Sequence, residues 1–411
     1  MHKSSLFTPV LIAASLILLI SFGIRASFGL FQLPIATEFG WPRADFSMAI
    51  AIQNLAWGVG QPIFGAIAER FGDRRAIIAG ALLYSAGLVL SSFAVTPGQH
   101  QLLEILVGFG IAGTGFGVIL AIVGRAASPE NRSLALGIAT GLGSAGQVFG
   151  PIIAQALLRH YPWQTVFLMF AVLILFVLFA LPFLRAPAKT GKIEAAEALT
   201  TVLNRAFRDP SFTLIFLGFF SCGYQLGFIT AHFPAFITEM CAAITPGSLL
   251  AGLGITTTSA LGAIAISLIG LANIGGSVLA GWLGKTYPKK YLLAGIYTLR
   301  TVASILFIML PMTPSTVVIY SLVMGSLWLA TVPLTSGLVA QIYGLRYMGT
   351  LYGFVFFSHQ VGSFLGVWLG GRLYDITGNY TAVWWVGIGV GALSAILHLP
   401  IRERSITAQP A

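Results

Sequence analysis

Two arginines sit where a charge is hardest to hold. Arg25 lies in SFGIRASFGLFQLP (21–34) and Arg300 in AGIYTLRTVASIL (294–306), each within a long apolar run. A guanidinium keeps its charge at any accessible pH, and its fork of N–H donors suits a carboxylate gripped at two points. Gln225 and His232 are seven residues apart, hence on one helix face, with Tyr224 beside them. His359 follows Tyr352 by the same interval and is flanked by Ser358 and Gln360. Histidine titrates near neutrality and can carry a proton. Asn54, Trp57, Gln61, Gln147, Asn273, Thr331 and Thr335 add hydrogen-bonding groups inside apolar stretches. This is chemistry for binding, not for breaking bonds. There is no GxxxxGK[ST] phosphate loop, no HExxH or CxxC metal spacing and no hydrolase triad, so neither a cofactor nor a metal is expected.

Each of these residues also has a purely structural reading. Arg25 is either a charge anchor for a ligand or a tertiary tie to helix-end carbonyls. His232 either joins the site or serves an outer gate, and His359 either lines a cavity or packs. Arg300 reads as a structural or gating tie more than a binding group.

The elements that hold these residues follow from composition. Of 411 residues, 57% are hydrophobic and only 8% charged, too few charges to cover a soluble surface. The chain is read as an all-α membrane protein with the lipid bilayer as its solvent. The net charge of +10 lies in short loops, which argues for topology and against a nucleic-acid partner. Cys222 and Cys241 imply no disulfide framework. The run after MHKSS continues past Arg25 to Pro34, so it reads as a retained first helix and not a cleaved signal.

Apolar segments long enough for the ~20 residues of a crossing fall near 8–36, 44–68, 76–96, 101–125, 132–158 and 163–184. A second set falls near 211–238, 256–284, 289–311, 315–342, 347–373 and 380–400. These predict twelve transmembrane helices in two six-helix bundles, 1–185 and 211–411, joined by a polar linker, 186–210, that is partly an interfacial helix. With both termini in the cytoplasm, the inner side collects 17 of the 22 Lys and Arg, leaving Arg43, Arg159 and Arg372 outside. This asymmetry fits a multi-pass protein of a bacterial inner membrane, expected as a monomer.

The bundles repeat each other. An offset of 200 pairs Ser21, Gly23, Phe28 and Pro34 with Ser221, Gly223, Phe228 and Pro234, and so places Gln225 opposite Arg25. An offset of 216 pairs Gly137, Gly146 and Gly150 with Gly353, Gly362 and Gly366. Parallel six-helix repeats are a carrier construction with the site at their interface.

The loop GAIAERFGDRR (65–75) resembles the signature loop of the major facilitator superfamily. Gly65, Arg70, Gly72, Arg74 and Arg75 match, Glu69 replaces the usual Asp, and Asp73 replaces an Arg. A degenerate copy, GWLGKTYPKK (281–290), falls where the repeat requires it. The resemblance implies the major facilitator fold over essentially the whole chain. It makes Glu69, Arg70, Asp73, Arg74 and Arg75 a gate latch, with Arg300 a further gating candidate. The charges could also only anchor topology, but a carboxylate serves no positive-inside purpose.

GIATGLGSAGQVFGP on the fifth helix resembles the motif of the superfamily's exporters, with Ala154-Gln155 where two glycines are usual and Phe109 where an arginine is usual on the fourth. LFQLPIATEFGWPRADFS (30–47) resembles bacterial carriers related to monocarboxylate transporters and oxalate–formate exchangers. The animal carriers have an Asp and an Arg on the eighth helix, where Asn273 and Ser277 stand here, so the cationic anchor would be Arg25. All acidic residues are expected in or near loops, and the negative charge that completes Arg25 would arrive with the substrate.

These readings combine in a secondary carrier of a small organic anion, working by alternating access as proton symport or anion exchange. Arg25, Gln225, His232, Tyr224, Asn54, Trp57, Gln147, Thr331, Thr335 and His359 are its candidate binding residues. The alternatives are an exporter of hydrophobic compounds by proton antiport, and a polytopic enzyme or sensor that transports nothing.

Overall fold

The computed structural model describes residues 6–41, 43–184 and 198–405. Within these, twelve long helical spans follow one another. The first six are Pro9–Phe31 (continued by Gln32–Phe39), Arg43–Phe71, Asp73–Ser91, Pro97–Ala126, Arg132–Leu158 and Trp163–Phe183. The second six are Pro210–Met240, Thr258–Leu283, Lys289–Met309, Pro314–Tyr343, Met348–Thr377 and Thr381–His398. They are called spans one to twelve below. Part of the expected linker, 185–197, lies outside the described residues; after it, Leu199–Arg208 is a helix.

Ten spans are long and apolar enough to cross a bilayer on composition alone, and spans two and eleven are not among them. Both carry polar groups at mid-length, Gln53, Asn54 and Gln61 on one and Ser358, His359 and Gln360 on the other. The two pack against each other, so those groups face protein instead of lipid.

Local chemistry sets where several spans begin. Thr8-Pro9, Thr96-Pro97, Asp209-Pro210 and Thr313-Pro314 each place an oxygen acceptor just before a proline in the first turn, and each side chain accepts a backbone N–H of that turn. Such caps contribute about 1 kcal/mol each, and proline at that position removes a donor that would have had no partner. The four caps start spans one, four, seven and ten, so the repeat extends to helix starts.

Spans four and ten are discontinuous. Span four breaks at Gly115, between Pro97–Thr114 and Phe116–Ala126. Span ten breaks between Pro314–Leu327 and Thr331–Tyr343. Broken helices near mid-membrane free backbone groups that side chains or ligands must then satisfy.

Within the halves, span one packs on five and seven on eleven; across the seam, two packs on eleven and five on eight. The seam is tight on the side that carries both termini. A Cβ at Gly65 would strike the Gly349–Thr350 peptide, and one at Gly137 would reach the Ser277 carbonyl and Gly281. Contacts continue to mid-membrane, where Gly58 meets Gln360 and Gly270 meets Val148. Beyond that level Phe149, Ile152 and Ile153 are exposed. The halves are therefore closed on the terminus side.

Candidate functional site

Arg25 projects from span one toward span two. Its Nη2 donates to Asn54 Oδ1 at 2.6 Å, and the guanidinium carbon stands 4.7 Å from the centre of the Trp57 ring. The Trp57 indole N–H donates to Gln61 at 2.8 Å, which fixes the ring face under the cation, an arrangement that attracts it. The Arg25 Nε is buried and has no partner, and among the described residues no carboxylate pairs with the guanidinium.

Asn54 also reaches the other half. Its backbone carbonyl accepts the Gln360 amide N–H at 3.0 Å, and Gln360 Oε1 lies 3.0 Å from His359 Nδ1. The His359 ring stacks on Phe356 at 5.1 Å, and Phe356 lies against Trp57 at 4.7 Å. Arg25, Asn54, Trp57 and His359 thus form one constellation spanning both halves near the middle of spans two and eleven. Gln360, which completes it, had only its place beside His359 to mark it in the sequence.

Arg300 has different company. It is fully buried, and its Nε donates to the Leu327 carbonyl at 3.1 Å while Nη2 donates to the Leu327 and Trp328 carbonyls. Those are the last carbonyls before the break in span ten, where the helix end is negative. Nη1 donates to Cys222 Sγ at 3.5 Å and to Gln225 Oε1 at 3.4 Å. Gln225 in turn donates to the Gly387 carbonyl at 3.2 Å, and Thr331 Oγ1 lies 3.3 Å from Cys222 Sγ. Gln225 and Thr331 therefore belong to the cluster that supports the broken helix.

The remaining candidates scatter. Tyr224 and Thr335 are buried with hydroxyls that find no partner. His232 Nε2 lies 2.9 Å from the Val367 carbonyl, and its ring packs on Phe228 and Tyr380, which ties span seven to eleven and twelve near the far face. Gln147 is half-exposed on span five. Asn273 donates to Ser144 across the seam at 2.8 Å and accepts the Leu329 N–H at 2.8 Å, so it supports the span-ten break as well.

One expectation is corrected. Glu104 does not lie near a loop. The Thr96 cap starts span four at Pro97, earlier than the apolar pattern indicated, so Glu104 is two turns into the helix and fully buried. Its Oε2 accepts from Gln53 Nε2 at 2.6 Å, Oε1 has no hydrogen-bond partner, and His100 Nε2 is 3.6 Å away. The His100 ring stacks on Phe46 at 5.3 Å, and its Nε2 has no hydrogen-bond partner either.

On the terminus side, Glu69 accepts the Thr350 N–H at 3.0 Å and the Thr350 hydroxyl. A carboxylate from the N-terminal half thereby holds the first turn of span eleven, the positive end of that helix. Asp73 pairs with Arg125 at 2.6 Å. Arg70, Arg74 and Arg75 are exposed, Arg70 lying over Phe71.

Comparison with known proteins bears on this arrangement. The chain is 29% identical over 390 residues to monocarboxylate transporter 13 of Bos taurus, covering 92% of this chain and 86% of that protein. It is 26% identical over 389 residues to YcxA of Bacillus subtilis, an uncharacterised transporter of the MFS type, covering 91% and 90%. Among solved structures it matches the proton:xylose symporter XylE with a TM-score of 0.73 at 14% identity, covering 99% and 98%. The outward conformation of FucP matches with a TM-score of 0.70 at 15% identity, covering 95% and 98%. The model of the Major Facilitator Superfamily matches residues 13–367. With two six-helix halves closed against each other on one side, the chain belongs to the Major Facilitator Superfamily and is a multi-pass membrane transporter.

Proposed function

We propose that this transporter moves a small organic anion, a monocarboxylate by class, between its two halves. The observation that carries the reading is Arg25: a permanent cation at mid-membrane, with Asn54 and Trp57 for company and a buried, unpartnered Nε. An intramembrane charge without a counter-charge is costly, and a bound carboxylate would complete it with charge-assisted hydrogen bonds. The names of curated relatives such as monocarboxylate transporter 13 support the same class.

The substrate would enter from the face opposite the closed side, reach Arg25 and the His359–Gln360 pair of the opposite half, and leave after the halves rock. Glu69 would act as the latch of the closed side, since its bonds to Thr350 exist only while spans two and eleven meet there. The placement of Lys and Arg supports cytoplasmic termini, which makes the face opposite the closed side external.

Of the two coupling modes, buried Glu104 favours proton symport. A carboxyl with one orphaned oxygen beside a histidine can hold a proton, and Tyr84 stands near enough to feel the charges of both Glu104 and Arg25. Gln53 links it to span two, one turn from Trp57 and adjacent to Asn54, so its charge state bears on the element that positions Arg25.

The test is uptake of a labelled short monocarboxylate into proteoliposomes, with binding to purified protein followed in parallel. Arg25→Ala should weaken binding at least tenfold, corresponding to about 1.4 kcal/mol or more, while the protein remains folded. Unchanged affinity for every short carboxylate tried would remove Arg25 from the site.

A further inference from the structure

Where the halves meet on the terminus side, the seam borders an open cavity of about 420 Å³. Arg132 and Ser133, at the start of span five, come from one half. Lys285, Lys289 and Gln341, from the turn after span eight and from spans nine and ten, come from the other. Among the described residues, no acidic side chain lines it.

Among the described residues, the hydrogen bonds these cations donate go to neutral groups. Arg132 Nε donates to the Gly124 carbonyl at 2.9 Å, Lys285 to Asn131 at 2.9 Å and Lys289 to Gln341 at 3.0 Å. Lys289 and Arg132 are near enough to repel each other across the seam. Glu403 attracts Lys289 more strongly than Arg132 repels it, and its Oε1 also accepts the Lys290 backbone N–H at 2.5 Å. The Lys289 stem lies along span ten, 3.1 Å from where a Cβ of Gly337 would stand, so the ammonium is positioned by packing. Ser133 is only 6% exposed, and its hydroxyl has no partner.

Membrane topology accounts for basic loops on one face. It does not require cations from opposite halves to converge on one void, two of them (Arg132 and Lys289) half-buried, beside a buried hydroxyl without a partner. An anion between Arg132 and Lys289 would relieve their mutual repulsion, and a buried polar group without a partner is costly until something bonds it.

We propose that this cavity is an anion site for a phosphate-bearing ligand that bridges the halves and holds the terminus side closed. Three cations and a hydroxyl exceed what a monocarboxylate's single charge can use. They suit a phosphate group, with more negative charge and several acceptor oxygens arranged in space. A ligand bound between the halves binds the closed arrangement and not the parted one, so it stabilises the former and slows the rocking that transport needs. The site is separate from Arg25 and regulatory in kind. Free phosphate and the phosphate of an anionic lipid headgroup share this chemistry.

The experiment has two arms. In the first, the full-length carrier in neutral detergent is titrated with inorganic phosphate against sodium chloride of equal ionic strength, and the thermal unfolding midpoint is followed. In the second, the carrier is placed in bilayer discs of phosphatidylcholine with or without phosphatidic acid. The site predicts a saturable rise of the midpoint in one arm. Roughly tenfold weaker response is expected for Lys289→Gln and for the milder Ser133→Ala, and an undiminished one for Arg208→Gln, on the same face but outside the cavity. A rise with free phosphate identifies a soluble ligand; a rise only with phosphatidic acid identifies a lipid. Arg25→Ala should keep the full response, which separates this site from the transport site. No saturable rise in either arm, or equal responses in Lys289→Gln, Ser133→Ala and the unaltered protein, would overturn the proposal.

Discussion

Arg25 and Arg300 are the same residue in similar settings, and their neighbours give them different tasks. Arg300 is surrounded by acceptors that need it: the Leu327 and Trp328 carbonyls end a helix segment, and besides Arg300 only the weak Cys222 thiol donor reaches Trp328 among the described residues. Arg300→Ala should therefore lower stability by about 1–3 kcal/mol for each carbonyl left without a partner, with partial recovery in Arg300→Lys. Thermal unfolding of the purified variants measures this; a midpoint equal to that of the parent would mean the break in span ten holds itself. Glu104→Gln makes the complementary case for a proton carrier. The amide still bonds Gln53 but carries no titratable proton, so carboxylate exchange between loaded vesicles should persist while accumulation driven by a proton gradient falls at least tenfold. If accumulation survives, Glu104 is a structural acid. The sequence marked Arg25 and Arg300 because a charge in an apolar run is visible by eye. It hid Glu104 because the apolar pattern placed the start of span four at 101, and only the Thr96–Pro97 cap, read as such, would have moved it. The pairing of Arg25 with Asn54, 29 residues away, depends on the angle between spans one and two, which no spacing rule specifies.

The glycine repeats show how far an element can be read ahead of its contacts. Gly146 and Gly150 bring span five onto span one, with a Cβ at either striking the Leu19 or Gly23 carbonyl. Their repeat partners Gly362 and Gly366 do the same between spans eleven and seven at Phe220 and Tyr224. Gly137 and Gly353 instead serve the seam, against span eight and span two. The spacing was legible in the sequence, and so was its consequence, close helix approach; which neighbour each glycine meets was not. Gly146→Ala should cost about 1–3 kcal/mol by overpacking. Gly275→Ala, where a Cβ meets nothing within 4 Å, should be neutral or slightly stabilising through better helix propensity. Equal unfolding midpoints for the two would show that spans one and five can part without penalty. The breaks in spans four and ten escaped the sequence reading for different reasons. Gly115 is one glycine among many, and the break near Trp328 contains neither Gly nor Pro; it is held by Arg300 and by Asn273 from distant spans.

At the scale of the whole molecule, alternating access requires that the closed side be stable enough to seal and weak enough to open. The tight seam from Gly65 to Gly58 and from Gly137 to Val148 seals it by close backbone contact, an interaction spread over many atoms that switches off only when the halves move as bodies. Glu69 is different, because its charge acts at one point, on the Thr350 N–H and hydroxyl at the start of span eleven. A charged acceptor at that helix end contributes about 1.5–3 kcal/mol per hydrogen bond, and a neutral one roughly half. Glu69→Gln should then shift the balance between closed and parted terminus sides by roughly tenfold, with little change in overall stability. Labels at Arg75→Cys and Tyr287→Cys, on the two halves, would report the separation after Cys241→Ser; Cys222 is buried and shielded from reagent. The variant should add a longer-distance population that the parent lacks. If the two distance distributions coincide, Glu69 is not the latch, and closure rests on the glycine contacts and on whatever anion the basic seam holds.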